Sequence, residues 1–215
     1  MKKFIKNVII ICSGEDFNSS KIIKCYDEAD YKIAVDGGLK VFRDLRLEPD
    51  LLMGDIDSVD KKTLSFYPQV ERISFSREKD LTDSELALQK AISFDPENIF
   101  LFASTGSYFD HSIANVLNLI RNYKENIKIK IITGNSEIFA VKGRAEFNNL
   151  AGRRISFFPA SKIKVQEFQG FKYSYKKKNL LLVDFSISNM ISDKKAHFKI
   201  KKGILICVLF DEGYD

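Results

Sequence analysis

Aspartates recur beside small residues at four places in this chain. They are Asp36-Gly37-Gly38, Gly54-Asp55-Ile56-Asp57-Ser58, Asp80-Leu81-Thr82-Asp83-Ser84-Glu85, and a loop from Ser104 through Gly106 to Asp110-His111. Carboxylate oxygens are hard ligands that suit Mg²⁺, which takes one or two of them and completes its shell with water and substrate phosphates. Read as extended chain, Asp55 and Asp57 point to one side while Ile56 points into the core. Two like charges held that close repel unless a cation sits between them. Paired glycines let backbone amides approach a ligand, and a helix beginning there favours an anion. Aspartates converging on one edge, with glycine-rich loops beside them, suit metal-assisted handling of a polyphosphate.

Each residue also has a plainer use. Asp36-Gly37 makes an ordinary turn, Asp57 or Ser58 caps a helix, Asp83 gains from a helix dipole, and His111 sits at a helix start. Capping accounts for one of Asp55, Asp57 and Ser58 but not for all three, and Asp80 has no such structural task. Other chemistries lack their residues. There is no GxxxxGK[ST], no GxGxxG and no GxSxG. His111 and His197 are the only histidines, which excludes a histidine-rich metal site. Cys12, Cys25 and Cys207 are odd in number and form no CxxC, so they read as reduced thiols.

The elements that must position these groups follow from periodicity. Val8–Cys12, Lys32–Val35, Leu51–Met53, Ile99–Phe102 and Ile127–Thr133 read as strands, the first and fourth apolar enough to be covered on both faces. A helix is expected over Asp83–Phe94, with Thr82 capping it and Glu85 reaching back. Another begins near Asp110, with Ile113, Val116, Leu117 and Ile120 as its apolar stripe. Alternation of this kind gives an α/β fold with a parallel, Rossmann-like sheet, whose ligands bind beyond the carboxyl ends of the strands. After Gly134 the texture changes. Ile138–Val141, Arg154–Phe158, Leu180–Val183, Ala196–Ile200 and Ile204–Phe210 read as strands punctuated by Gly143, Gly152, Gly170 and Gly203, a small antiparallel β domain. The expected division is 1–134 and 135–215.

Charge agrees with two units. Residues 1–134 carry 19 basic and 21 acidic side chains, −2; residues 135–215 carry 15 and 8, +7. The lysines of the second half are scattered and accompany no nucleic-acid motif, so a solvated surface is expected rather than a nucleic-acid partner. No apolar run approaches the roughly 18 residues that span a bilayer. The start, Met1 to Lys6, imitates a signal peptide, but Val8–Cys12 is too short for its apolar region. A cytoplasmic protein with no membrane partner is expected.

In order and spacing these motifs resemble the thiamine pyrophosphokinase family. The residues are Asp36-Gly37-Gly38, Pro49-Asp50 with Gly54-Asp55-Ile56-Asp57-Ser58, Lys79-Asp80-Leu81-Thr82-Asp83-Ser84-Glu85, Asp110-His111-Ser112-Ile113-Ala114-Asn115, and later Ile187-Ser188-Asn189. The resemblance implies an N-terminal domain binding ATP and Mg²⁺, a C-terminal β domain binding thiamine, and a homodimer with its sites at the subunit interface. It implies attack of the thiamine hydroxyl on the β-phosphorus of ATP, giving thiamine diphosphate and AMP. By position, Asp55, Asp57 and Asp80 would hold Mg²⁺ with Asp83 close by. Asp36, Gly37, Gly38, Asp110 and His111 would lie at the nucleotide, Asp110 orienting the reacting groups, and Ser188 and Asn189 would contact thiamine.

Two positions and the absence of one residue type depart from the pattern. Tyr108 stands where the family shows arginine, so Arg77 or Lys79 would take over the phosphate clamp. Ser186 replaces a glycine before Ile187-Ser188-Asn189. The chain has no Trp, which leaves Phe or Tyr, Phe185 among them, to stack on thiamine. Two alternatives stand beside this reading: a pyrophosphokinase acting on 6-hydroxymethyl-dihydropterin, and a non-catalytic nucleotide- or RNA-binding module.

Overall fold

A computed structural model describes residues 4–75, 80–106, 108–175 and 177–213. The chain divides into two compact units, Met1–Gly134 and Asn135–Asp215.

The first unit alternates strand and helix. Its order is β1 (Asn7–Ile11), α1 (Ser19–Asp27), β2 (Tyr31–Val35), α2 (Gly38–Leu45), β3 (Leu51–Gly54), a 3₁₀ turn (Ile56–Ser58), α3 (Lys61–Phe66), β4 (Glu71–Ser74), α4 (Asp83–Ile92), β5 (Asn98–Phe102), α5 (Phe109–Arg121) and β6 (Lys128–Ile132). The strands pair in parallel in the order β6-β5-β1-β2-β3-β4. The chain builds outward from β1 to β4, then returns to lay β5 and β6 on the other side of β1.

Composition explains the centre. Val8, Ile9, Ile10 and Ile11 have no exposed surface, so β1 is covered on both faces, as an unbroken apolar strand requires. Ile9 and Ile11 pack with Ile22 of α1, Leu39 and Phe42 of α2, and Phe102 of β5. Helix α4 buries Ala87, Leu88 and Ala91 and lies across β1, β2, β3 and β5.

Two sequence expectations change here. Strand β4 was not expected, because Glu71, Arg72 and Ser74 are exposed on this outermost strand and leave no apolar run. In α5 the expected inward stripe is open instead. Ile113 and Leu117 are exposed, and the buried face carries Asn115, Asn118 and Leu119. Asn115 turns inward because it has polar partners there, described below.

The second unit contains β7 (Ser136–Val141), β8 (Arg144–Asn148), β9 (Arg154–Pro159), β10 (Ile163–Gln169), β11 (Asn179–Leu180), β12 (Ser186–Met190), β13 (Lys195–Lys202) and β14 (Leu205–Phe210). They pair antiparallel as β12-β9-β14-β7 and β11-β10-β13-β8. The core is aromatic: the rings of Phe168 and Phe198 lie 5.2 Å and 5.8 Å from Phe157, both edge-on. The strand expected through Val183 stops at Leu180. Residues 181–184 turn instead, because the Asp184 carboxylate accepts from the Leu181 amide at 2.9 Å and from Lys177 at 2.7 Å. Those two donors hold the Asp184 carboxyl below its ordinary range.

Together these units form an α/β fold with a parallel sheet, followed by an antiparallel β unit.

Candidate functional site

Loops leaving the carboxyl ends of a parallel sheet diverge where the strand order reverses, and a crevice opens between them. In the first unit that point lies between β1 and β5. A cavity of about 270 Å³ opens there, walled by Ser13 after β1, Asp36 after β2, the start of α4, Ser104 and Thr105 after β5, and the start of α5.

Local chemistry assembles the wall. Thr82 caps α4, its hydroxyl accepting from the Glu85 amide at 3.2 Å. The Glu85 carboxylate does not complete the expected reciprocal box; it lies 3.1 Å from Arg121 of α5. The Ser84 hydroxyl donates to Asn115 Oδ1 at 2.7 Å, and Asn115 Nδ2 donates to the Ser104 carbonyl at 2.6 Å. One asparagine thus ties the start of α4 to the exit of β5. The N-terminal turns of α4 and α5 both line the cavity, and α5 has no side-chain cap there. Amides at such ends carry partial positive charge and attract anions.

Asp36 is a strut as well as a wall. Its φ is 49°, and its Oδ1 accepts from the Asp55 amide at 2.8 Å. Gly54 makes the approach possible, since its φ is 127° and a Cβ would fall 1.9 Å from that oxygen. Gly38 is equally constrained at the start of α2, where a Cβ would lie 2.1 Å from the Ile11 carbonyl oxygen.

Asp55 and Asp57 do not lie on extended chain. The Asp55 carbonyl accepts from the Ser58 amide at 2.9 Å and from its hydroxyl at 2.6 Å, closing the 3₁₀ turn. The alternation argument for the pair therefore fails, although Ile56 does pack on the core. Asp57 and Asp80 are exposed. Asp110, also exposed, accepts from the His111 amide at 2.9 Å.

Of the expected residues, Asp36, Asp83 and His111 line the cavity; Gly37, Gly38, Asp55, Asp57, Asp80 and Asp110 do not. No group of three or more Asp, Glu, His or Cys side chains among the described residues is gathered to hold a metal. No lysine or arginine among them lines the cavity. Tyr108 is 70% exposed, its ring 5.7 Å from that of His111. Arg77 and Lys79, expected to supply charge in its place, lie outside the described residues. Cys12 lines the cavity as an inert thiol: burial, helped by the Asp36 charge, pushes its pKa up to about 12.

The second unit carries its own concavity, about 370 Å³, between residues 173–175 and 185–187. Tyr173, Phe185 and Ile187 are each more than half exposed there, and Phe185 stacks on Phe158 with centroids 6.0 Å apart. Ser188, at φ 57°, donates its amide to Ser156 at 3.0 Å within a register shift of β12. Asn189 is wholly buried. Its Oδ1 accepts from the Tyr173 and Met190 amides at 3.0 Å and 2.9 Å. Its Nδ2 donates to the Tyr173 carbonyl at 2.7 Å and, more weakly, to Ser186 at 3.4 Å. Those bonds occupy the amide that was expected to meet thiamine.

Residues 22–131 match the family model described as thiamin pyrophosphokinase, catalytic domain, and residues 143–205 match its vitamin B1 binding domain. The chain belongs to the thiamin pyrophosphokinase family. It is 30% identical over 213 residues to thiamine pyrophosphokinase from Bacillus subtilis, covering 95% of this chain and 98% of the relative. The crystal structure of the Bacillus subtilis thiamine pyrophosphokinase superposes with a TM-score of 0.83 at 27% identity, covering 95% and 99% of the two chains. The yeast thiamin pyrophosphokinase structure shares the fold at 17% identity, with a TM-score of 0.79 and coverage of 97% and 87%.

Membership in the thiamin pyrophosphokinase family fixes the activity as transfer of a diphosphoryl group from ATP to thiamine. The vitamin B1 match decides for thiamine over a pterin as acceptor. Sequence reasoning missed the structural roles of Asn115 and Ser84. Asn115 stood inside a quoted motif without a task, and its position as the last residue of that motif was the available signal.

Proposed function

We propose that ATP binds in the cavity between the ends of β1 and β5 and that the aromatic concavity of residues 135–215 takes thiamine. The observation that carries this is the cavity at the reversal of strand order, faced by two helix N-termini. We read residues 1–134 accordingly as a Rossmann-like ATP- and Mg²⁺-binding domain.

The donor set fits Mg²⁺. Carboxylate and hydroxyl oxygens are its ordinary ligands, and one or two carboxylates suffice when phosphates and water complete the shell. The wall offers Asp36 and Asp83 but no lysine or arginine among the described residues, so a triphosphate needs a cation brought with it. By their place in the family's motifs, and although they lie outside the cavity wall, we assign Asp55, Asp57 and Asp80 to hold that ion, with Asp83 of the wall close by. Bound Mg²⁺ would neutralise charge on the transferring phosphates.

The chain's own residues do the rest. Amides at the starts of α4 and α5 bind phosphate oxygens. Asp36 holds the Asp55 turn in place. Asp110 accepts the proton of the thiamine hydroxyl as its oxygen attacks the β-phosphorus and AMP departs. Ser186 and Phe185 meet thiamine, with Ser188 beside them and Asn189 fixing the wall from behind.

We read the protein as a cytoplasmic homodimer with its sites at the subunit interface. Among the described residues no helix is long and apolar enough to cross a membrane. Exposed Phe109, Ile113 and Leu117 lie four residues apart along α5, and sedimentation at micromolar concentration tests the dimer.

The metal assignment is tested by AMP release from ATP and thiamine across a Mg²⁺ titration. Asp55→Asn and Asp57→Asn should each lower turnover by about 10²-fold or more while melting normally. Near-normal turnover in both variants overturns it.

A further inference from the structure

One corner of the cavity has its polar groups oriented before any substrate arrives. Behind it sits Asp16, in the segment that follows β1. Its Oδ1 accepts from the Gly134 amide at 2.9 Å, beyond the end of β6. Its Oδ2 accepts from the Thr105 hydroxyl at 3.0 Å, beyond the end of β5. Its own amide donates to the Thr105 carbonyl at 3.2 Å. Glycine makes room for this junction: a Cβ on Gly106 would lie 2.9 Å from the Asp16 nitrogen, and one on Gly134 would lie 2.9 Å from Asp16 Oδ1. Loops from three strands therefore close on a single carboxylate.

Thr105 lines the cavity, and the exposed Asp16, outside that lining, holds its hydroxyl proton. A hydroxyl has one proton and two lone pairs. With the proton donated to Asp16, Thr105 turns only lone pairs toward the cavity, and the carboxylate behind polarises it further. Such an oxygen repels phosphate oxygens and accepts from a hydroxyl donor. Next to it the Ser104 hydroxyl is buried with no partner among the described residues. A nucleotide supplies hydroxyl donors on its sugar.

We propose that Asp16, acting through Thr105, is the positioning residue for a ribose hydroxyl of the nucleotide, and that this corner sets the preference for ribonucleotides over deoxyribonucleotides. The inference rests on ATP occupying the β1/β5 cavity.

The test compares kcat/KM for ATP, 2′-deoxy-ATP and 3′-deoxy-ATP, with Mg²⁺ and thiamine held constant, in the wild type, Thr105→Val and Asp16→Asn. The wild type should prefer ATP over one of the two analogues by about tenfold, the worth of one hydrogen bond. Thr105→Val should bring that ratio close to one. Asp16→Asn keeps an acceptor for the Gly134 amide and should melt normally, yet it should lower the ratio severalfold, because Thr105 is no longer forced to present lone pairs. A merely structural role would slow all three nucleotides by the same factor. Equal use of all three by the wild type, or a ratio unchanged in both variants, overturns the inference alone. Failure of the wild type to turn over ATP at all overturns the nucleotide placement and this inference with it.

Discussion

The Asp36 carboxylate and the Asp55 backbone amide are joined by a 2.8 Å hydrogen bond. The bond links the exits of β2 and β3, and so it sets where the Asp55–Asp57 turn stands relative to the cavity. Gly54 sits between them with no room for a side chain.

Gly54→Ala should therefore break the link from both directions, through the clash and through the positive φ. A loss of about 2–4 kcal/mol is expected from these mechanisms. For a chain of this size that lowers the melting temperature by roughly 5–15 °C. Circular dichroism on heating reads it directly, and an unchanged melting temperature would show that Asp36 yields freely.

Tyr108 stands at the mouth of a cavity with no basic lining residue among those described. Tyr108→Arg should place a guanidinium there and lower KM for ATP about three- to tenfold, an effect that fades as salt screens it. The side chain is largely exposed, so the melting temperature should not move. Steady-state kinetics at two ionic strengths checks both parts.

Asn189→Ala would strand the Tyr173 amide and carbonyl that the buried Asn189 side chain now satisfies. The expected cost is about 2–4 kcal/mol of stability. Because Tyr173 lines the concavity with Phe185, KM for thiamine should rise while KM for ATP stays constant. A rise in both would place the effect elsewhere.

Burial keeps Cys12 and Cys207 protonated: the Cys12 pKa is raised to about 12, and burial pushes Cys207 up as well. A thiol below its pKa is a poor nucleophile. At pH 8, iodoacetamide should label the partly exposed Cys25 well before either, and all three after denaturation. Mass spectrometry of the labelled peptides distinguishes the sites.

What could be read from the sequence was what leaves a local trace. The apolar run of β1 announced a doubly covered strand, and Thr82 announced the start of α4. The aspartate loops stood out because acid and glycine cluster where strands end. Strand β4 left no such trace, since an outermost strand with exposed Glu71 and Arg72 has no apolar period. The inward face of α5 misled because Asn115 is buried by its partners at Ser84 and Ser104, which lie far away in the chain. Asp57 misled because a short turn replaces extended chain after β3. Asp16 was invisible for the same reason as Asn115: its partner at Gly134 lies in the last residues of the unit.

The lining of the cavity is drawn from Cys12 through Asn115, so no stretch of unfolded chain reproduces it. A molecule seated there binds the native state alone and shifts the folding equilibrium, by about 2.7 kcal/mol at a hundredfold excess over its dissociation constant.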